Sequence, residues 1–305
     1  MQRMIIDCDP GHDDVIAIIL AHRHADVLGI TTVTGNAPIQ ATTRNALGVI
    51  ALIGAETHIH VGAARPLVGE PKHAPHVHGA SGLDGVELPR HDTVPAGTNA
   101  VEFILETTAA KDDVWLVAIG PLTNVALALR EDPSLAERVA GISLMGGSTT
   151  VGNATRVAEF NIWADPEAAD VVFRCGAKLV MCGLNLTHQL RTSDALIDRL
   201  ETVASPRARF GSQVLGFLHE RMEDLTGLRE AALHDPCAVM AVTHPDLFRT
   251  EPRAVGIELS GDLTRGMTVV DQRTTRRRDP ANVQVAYGLD ADAAMQLVMD
   301  ALAES

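Results

Sequence analysis

Apolar and polar positions along the chain fall into two periods. Short runs of aliphatic and β-branched residues, "RMIIDC", "LGITTVTG", "HIHVG", "VWLVAIG", "GISLMGG" and "KLVMCGL", read as buried strands. Between several of them lie segments whose apolar residues recur every three to four positions, "DDVIAIILAHRH", "TRNALGVIALIGA" and "TNVALALRE", the pattern of helices with one buried face. "HIHVG" is followed instead by a loop rich in Pro, Gly and His, and "GISLMGG" by a loop ending in "DPEAADVVFRCG". Helical stretches are expected from about Ser193 to Met222. Three further strands, "AVGIEL", "MTVVD" and "VQVAYG", precede a last helix, "DADAAMQLVMDALAE".

Strands that alternate with helices predict an α/β fold with a mostly parallel (mixed) central sheet, helices on both faces and a Rossmann-like core. No internal repeat, low-complexity linker or break in composition divides the chain, so residues 1-305 read as one domain. In such sheets ligands bind beyond the carboxyl ends of the strands. The unusual polar clusters of this sequence fall at those ends.

The first is "IIDCDPGHDDVIAIIL", from Ile5 to Leu20, which sets Asp7, Asp9, Asp13 and Asp14 where a strand turns into a helix. Like charges so close oppose one another's ionisation unless something positive joins them, and the stretch contains no Lys or Arg. Converging carboxylates suit a hard divalent cation, calcium with six to eight oxygens or magnesium with about six. The plain alternative is helix capping. Asp9-Pro10 has the form of an N-cap followed by proline, as do Asp132-Pro133, Asp165-Pro166, Asp235-Pro236 and Asp279-Pro280.

Other constellations carry the same two readings. In "LHDPC", Asp235 is either a cap or a carboxylate ligand, and His234 is either a loop histidine or a proton donor near neutral pH. In "AIGPLTNVALAL", the Thr123 hydroxyl is expected to cap the following helix while its carbonyl is free to face a cation. "MGGSTTVGNATRVAEFNIWADP" places Glu159 and Asn161 around Phe160, groups able to read sugar hydroxyls or simply to meet water. His73, His76 and His78 hint at zinc, but nothing nearby completes a four-ligand set. "RTTRRRDP" around Arg276 reads as a solvated basic turn.

Charge narrows the partners. Lys plus Arg number 25 against 39 Asp plus Glu, a net charge of -14 that argues against nucleic acid. Four dispersed cysteines suggest reduced thiols, the N-terminus lacks a secretory apolar region, and no apolar run approaches the ~18 residues of a membrane helix. A cytoplasmic protein without membrane association is expected.

Seven motifs in order now resemble the calcium-dependent inosine-uridine nucleoside hydrolases: "DCDPGHDDVIAI", "TVTGN", "HGASGLDG", "GPLTN", "LMGG", "GNATRVAEFNIWADPEAA" and "LHDPCAV". The resemblance runs from about Met4 to the final helix. It implies hydrolysis of the N-glycosidic bond of ribonucleosides to free base and ribose. It further implies one Ca2+ per subunit held by Asp9, Asp14, the Thr123 carbonyl and Asp235, with Asp9 as the base that activates a bound water. Asp13 and Asn36 would assist at the ribose hydroxyls, Asn153, Glu159 and Asn161 would hold the sugar, and Met145 and Phe160 would line the pocket. His78 and His234 would lie towards the base, with His234 assisting the leaving group. Family members are commonly homodimers or homotetramers.

The sequence departs from the family pattern between Phe217 and Arg229, "FLHERMEDLTGLR", where members often place aromatics against the base. His219, Arg221, Met222 or Arg229 would have to substitute, or the segment would act as a mobile lid, so purine or pyrimidine preference stays open. Two rival readings remain. "DCD" after a first strand also fits a haloacid-dehalogenase-like magnesium phosphatase, and a calcium- and ribose-binding protein without turnover would keep the same ligands.

Overall fold

A computed structural model describes residues 1–275 and 279–304. Its strands are β1 (Gln2–Cys8), β2 (Ala25–Thr32), β3 (Ile59–Val61), β4 (Val114–Ala118), β5 (Gly141–Met145), β6 (Leu179–Cys182), β7 (Phe248–Arg253), β8 (Val255–Ile257), β9 (Thr268–Val270) and β10 (Val283–Leu289). Eight form one sheet in the order β3-β2-β1-β4-β5-β6-β10-β7, and β8 pairs with β9 in a separate antiparallel pair. Every neighbouring pair in the large sheet is parallel except β10 with β7.

The continuous apolar strands are explained by burial on both faces. Along β1, Met4, Ile6 and Cys8 enter one apolar cluster while Ile5 enters the other, and along β4 Trp115 and Val117 oppose Val114, Leu116 and Ala118. The helix His12–His24 packs into the first cluster through Val15, Ile16, Ile18, Ile19 and Leu20. At roughly 25 cal/mol per Å² of apolar surface, these two layers are the main source of stability.

Strand order reverses direction between β1 and β4, so the chain leaves these adjacent parallel strands towards opposite sides and opens a crevice at their carboxyl ends. Asp9 follows β1 directly, and Ile119 and Gly120 follow β4. The crevice and the acidic turn are therefore the same place.

Besides short turns of helix at Pro75–His78, Leu135–Arg138 and Pro245–Leu247, a longer helix and an edge strand lie outside the sequence reading. The helix Ala100–Ala110 is started by Asn99, whose side chain accepts the Glu102 N–H. Its Thr107-Thr108 pair weakened the helical signal. β7, "FRTEPR", is largely polar and contains Pro252, a composition that strands tolerate only at an edge, where it sits. The helix Pro206–Thr226 runs past Met222 to a left-handed Gly227 at φ 78, so most of the segment read as a candidate lid is regular helix. Among the described residues no helix is long and apolar enough to cross a membrane. The basic turn around Arg276 lies partly outside the described residues.

Candidate active site

Asp9 is not a helix cap. The helix behind it begins at His12 with Gly11 as N-cap, and the first-turn carboxylate that reaches back is Asp14, which accepts the N–H groups of Gly11 at 2.9 Å and Asp9 at 3.2 Å. Asp9 instead turns its carboxylate to the loop after β2, fully buried and not itself part of the cavity lining. Its Oδ2 accepts the Asn36 backbone N–H at 2.6 Å, and its Oδ1 is buried without a hydrogen-bond partner. Gly35 and Gly120 wall it so closely that a Cβ would stand 2.0 Å from Oδ2 at the first position and 2.5 Å from Oδ1 at the second. Any side chain at either glycine would fill the space around this carboxylate.

Asp13, Asp14 and Asp235 converge from two helix starts, with carboxylate oxygens all within 4.8 Å of one another. Asp235 is the first residue of the helix Asp235–Thr243, and His234 rather than Asp235 holds the cap position. Among the Asp-Pro pairs, Asp165 behaves as the capping rule expects, accepting the Ala168 N–H, and Asp132 turns back in a similar way to the Ser134 N–H. Asn36 ties the cluster together, its side-chain amide donating to the Asp9 carbonyl at 3.2 Å and to Asp14 Oδ2 at 3.1 Å.

Burial dominates the electrostatics. It pushes Asp9 and Asp235 well above the ordinary carboxylate range and Asp14 to about 7, with neighbouring aspartates adding to each shift. Asp7, held by Asn124 at 2.7 Å and Thr31 at 2.6 Å, is raised to about 6 by burial and keeps Oδ2 unpartnered. A buried carboxylate cluster with an orphaned oxygen and no neighbouring ammonium or guanidinium fits a hard divalent cation.

Above the cluster lies a cavity of about 250 Å³. Asp13, Asn36, His78, Met145, Asn153, Glu159, Phe160, Asn161, His234 and Asp235 all line it. The loop after β5 is shaped by its own polar groups. Glu159 accepts N–H groups from Gly147, Asn161 and Ile162, and burial raises it to about 7. Asn161 donates to the carbonyls of Ile119 and Met145, joining the ends of β4 and β5, while Asn153 accepts the Phe160 N–H. The lining contains no Lys or Arg, which removes the cation that a phosphatase needs to meet its substrate.

Thr123 departs from its expected capping role. It is the first residue of the helix Thr123–Glu131, and its hydroxyl donates to Asp165 Oδ2 at 2.7 Å. Of the four residues offered as base contacts in the Phe217–Arg229 segment, Met222 lines the cavity. His219 is buried elsewhere between Thr192 and Asp194, Arg229 pairs with Asp194 and Glu223, and Arg221 lies over the Phe217 ring.

His12 was missed because its place in an acidic turn suggested no particular role. It is buried, stacked on Phe217 with ring centroids 4.4 Å apart, 3.2 Å from His78 Nδ1, and it donates through Nε2 to the Asp84 carbonyl. Desolvation lowers both His12 and His78 to about 4, so both are neutral near pH 7. Trp163, which lies within the "GNATRVAEFNIWADPEAA" motif, also lines the cavity, as do Leu218 and Ala231, which no local motif marks.

A family model described as inosine-uridine preferring nucleoside hydrolase matches residues 4–296. A pyrimidine-specific ribonucleoside hydrolase RihA from Shewanella sp. (strain ANA-3) is 43% identical over 305 residues, covering 98% of this chain and 96% of that protein. Among solved structures, a plant nucleoside hydrolase, the PpNRh1 enzyme, superposes with a TM-score of 0.93 at 30% identity, covering 100% of this chain and 99% of that one. A purine-preferring ribonucleoside hydrolase from Gardnerella vaginalis superposes with a TM-score of 0.92 at 31% identity, covering 99% and 98%.

Proposed function

The chain belongs to the inosine-uridine preferring nucleoside hydrolase family, and from that premise we propose which of its residues cleave a ribonucleoside to free base and ribose and which base it prefers. The observation that carries the reading is the buried carboxylate cluster on the cavity floor, with Asp9 Oδ1 unpartnered. Asp9, Asp14, Asp235 and the Thr123 carbonyl would hold a calcium ion, with Asp13 within 4.8 Å of Asp14 and Asp235. Such a cation supplies charge neutralisation, orientation of the ribose diol and acidification of water.

The chain's own groups do the rest. Asp9 takes the proton of the attacking water through Oδ1, because Oδ2 is already committed to Asn36. Asp13 and Asn36 face the 2′ and 3′ hydroxyls, and Asn153, Glu159 and Asn161 hold the sugar in the loop that they brace. The reaction passes through an oxocarbenium-like state, so the buried negative charge beneath the sugar also stabilises the positive charge that develops on it.

His234 serves the departing base from the other side of the cavity. Its backbone N–H donates to Asp13 Oδ2 at 3.3 Å, which places the ring beside the sugar site. His234→Ala is expected to lower kcat/KM for uridine by roughly 100-fold or more. It should spare a ribosyl p-nitrophenol, whose leaving group needs no proton. Equal losses on the two substrates would make His234 a ribose-positioning residue and turn attention to His78.

Pyrimidine ribonucleosides are the proposed substrates. The support is that relatives 41–43% identical over nearly the whole chain carry a pyrimidine-specific name, whereas the purine-preferring structure is 31% identical. Release of free base from uridine and inosine, measured side by side, tests this. A kcat/KM ratio of at least ~10 in favour of uridine is expected; a ratio favouring inosine refutes the preference, and no release from either refutes the enzyme reading.

A further inference from the structure

We propose that Thr187 is a positioning residue whose buried hydroxyl donates to His234 Nδ1 and so fixes the imidazole with its proton on Nε2, the edge left for the cavity. The inference rests on the reading that His234 serves the departing base.

Thr187 closes the short helix Leu184–Thr187 after β6, is fully buried, and is not part of the cavity lining. Its Oγ1 lies 2.7 Å from His234 Nδ1, and among the described residues this is the one hydrogen bond of the hydroxyl. Other helical threonines of this chain behave differently. Thr108, Thr226 and Thr243 return their hydroxyl protons to carbonyls one turn back, at Ile104, Met222 and Val239. At Thr187 the corresponding carbonyl, that of Gly183, accepts the backbone N–H groups of Leu186 at 2.9 Å and Thr187 at 3.0 Å rather than the hydroxyl.

A buried hydroxyl proton left without an acceptor is costly, so the proton goes to the available acceptor, His234 Nδ1. A neutral imidazole whose Nδ1 accepts carries its hydrogen on Nε2. The reverse polarity, Nδ1–H donating to Oγ1, would strand the hydroxyl proton and turn a lone pair towards the cavity. The ring has little freedom to escape this choice. Its backbone N–H is bound to Asp13 and its face is met edge-on by His188 with centroids 5.7 Å apart.

The consequence is a site of defined polarity. A nucleoside base leaves with growing negative charge on its ring nitrogen and carbonyl oxygens, which an N–H attracts and a lone pair repels. Thr187, remote in sequence and out of reach of the substrate, decides which of the two His234 presents.

Long-range 1H–15N correlation spectra of the full chain labelled with 15N-histidine read the tautomer directly, with the His234 signals identified by their absence in His234→Gln. The wild type is expected to carry the hydrogen on Nε2, and Thr187→Val to shift His234 towards the Nδ1–H form. A wild-type His234 protonated on Nδ1 overturns the proposal. In parallel, Thr187→Val should lower kcat/KM for uridine by roughly 10- to 100-fold, the usual loss when the partner orienting a site histidine is removed. The ribosyl p-nitrophenol should change by less than ~3-fold, and Thr187→Ser should restore turnover of uridine. Equal losses on both substrates, or no rescue by serine, overturn the proposal. If His234→Ala fails to discriminate between the substrates, the reading of His234 falls, while the spectra still decide whether Thr187 sets its tautomer.

Discussion

Replacing Asp9 with asparagine is expected to lower uridine turnover by at least ~100-fold while the protein stays folded. The structure specifies how the substitution acts. The Asn36 N–H donates to Asp9 Oδ2 at 2.6 Å, so an asparagine must turn its carbonyl oxygen to that donor and place its NH2 where Oδ1 now stands. Oδ1 is the oxygen without a partner, in a pocket closed by Gly35 and Gly120. A donor would then occupy the one position that must accept a proton. The fold survives because an amide of the same shape replaces a carboxylate that burial already opposes. Steady-state kinetics with a thermal melt of the same sample check both halves, and turnover within ~10-fold of wild type would move the base away from Asp9.

The sequence displayed the site where chemistry demands rare residue types at close spacing. Four aspartates in one turn without a basic residue have few stable explanations, and the structure brings Asp13, Asp14 and Asp235 within 4.8 Å even though Asp235 lies over two hundred positions away. The β-α alternation was equally legible, because strands buried on both faces are continuously apolar while helices buried on one face are not. The capping rule misled at Asp9 and Asp235. An Asp-Pro pair fits the start of a helix locally, but only the tertiary fold decides whether the carboxylate turns back to its own helix, as Asp165 does, or away from it, as Asp9 does to the Asn36 N–H and Asp235 to the cavity.

The base side was least legible, for a related reason. Between Phe217 and Arg229 the sequence offers His219, Arg221, Met222 and Arg229 as substitutes for the missing aromatics without choosing among them, and the helix Pro206–Thr226 turns Met222 to the cavity. Leu218 and Met222, one turn apart, line it, while His219 points to Thr192 and Asp194. Helical spacing alone permits either face to be the functional one. The pairing of Thr187 with His234 was invisible for the same cause, since the two residues meet only through the sheet order that sets β6 beside β5.

Removing divalent cations with a chelator is expected to abolish turnover and to lower the melting temperature by several degrees. The carboxylates of Asp13, Asp14 and Asp235 lie in a buried cluster, with the buried Asp9 feeling the charge of Asp13 and Asp14 and no basic residue in the cavity lining, so the fold works against their mutual repulsion and desolvation whenever no cation is bound. A ligand that binds only the folded chain stabilises it by about 2.7 kcal/mol at a hundredfold excess over Kd. That is a shift of several degrees for a chain of this size. The donor set is all oxygen, which favours calcium or magnesium over softer metals, and the number of carboxylates favours calcium, since magnesium retains more water. Calorimetric titration of the stripped, folded protein should therefore show one calcium per chain, with magnesium weaker and turnover returning in step with occupancy. Asp235→Asn should weaken the calcium isotherm, while Asp132→Asn, which alters an exposed carboxylate bound to Ser134 and Arg138 far from the cavity lining, should leave it unchanged. A stripped protein that keeps its fold, binds no calcium and still releases base from uridine would refute the metal assignment and leave the buried carboxylates to act without a cation.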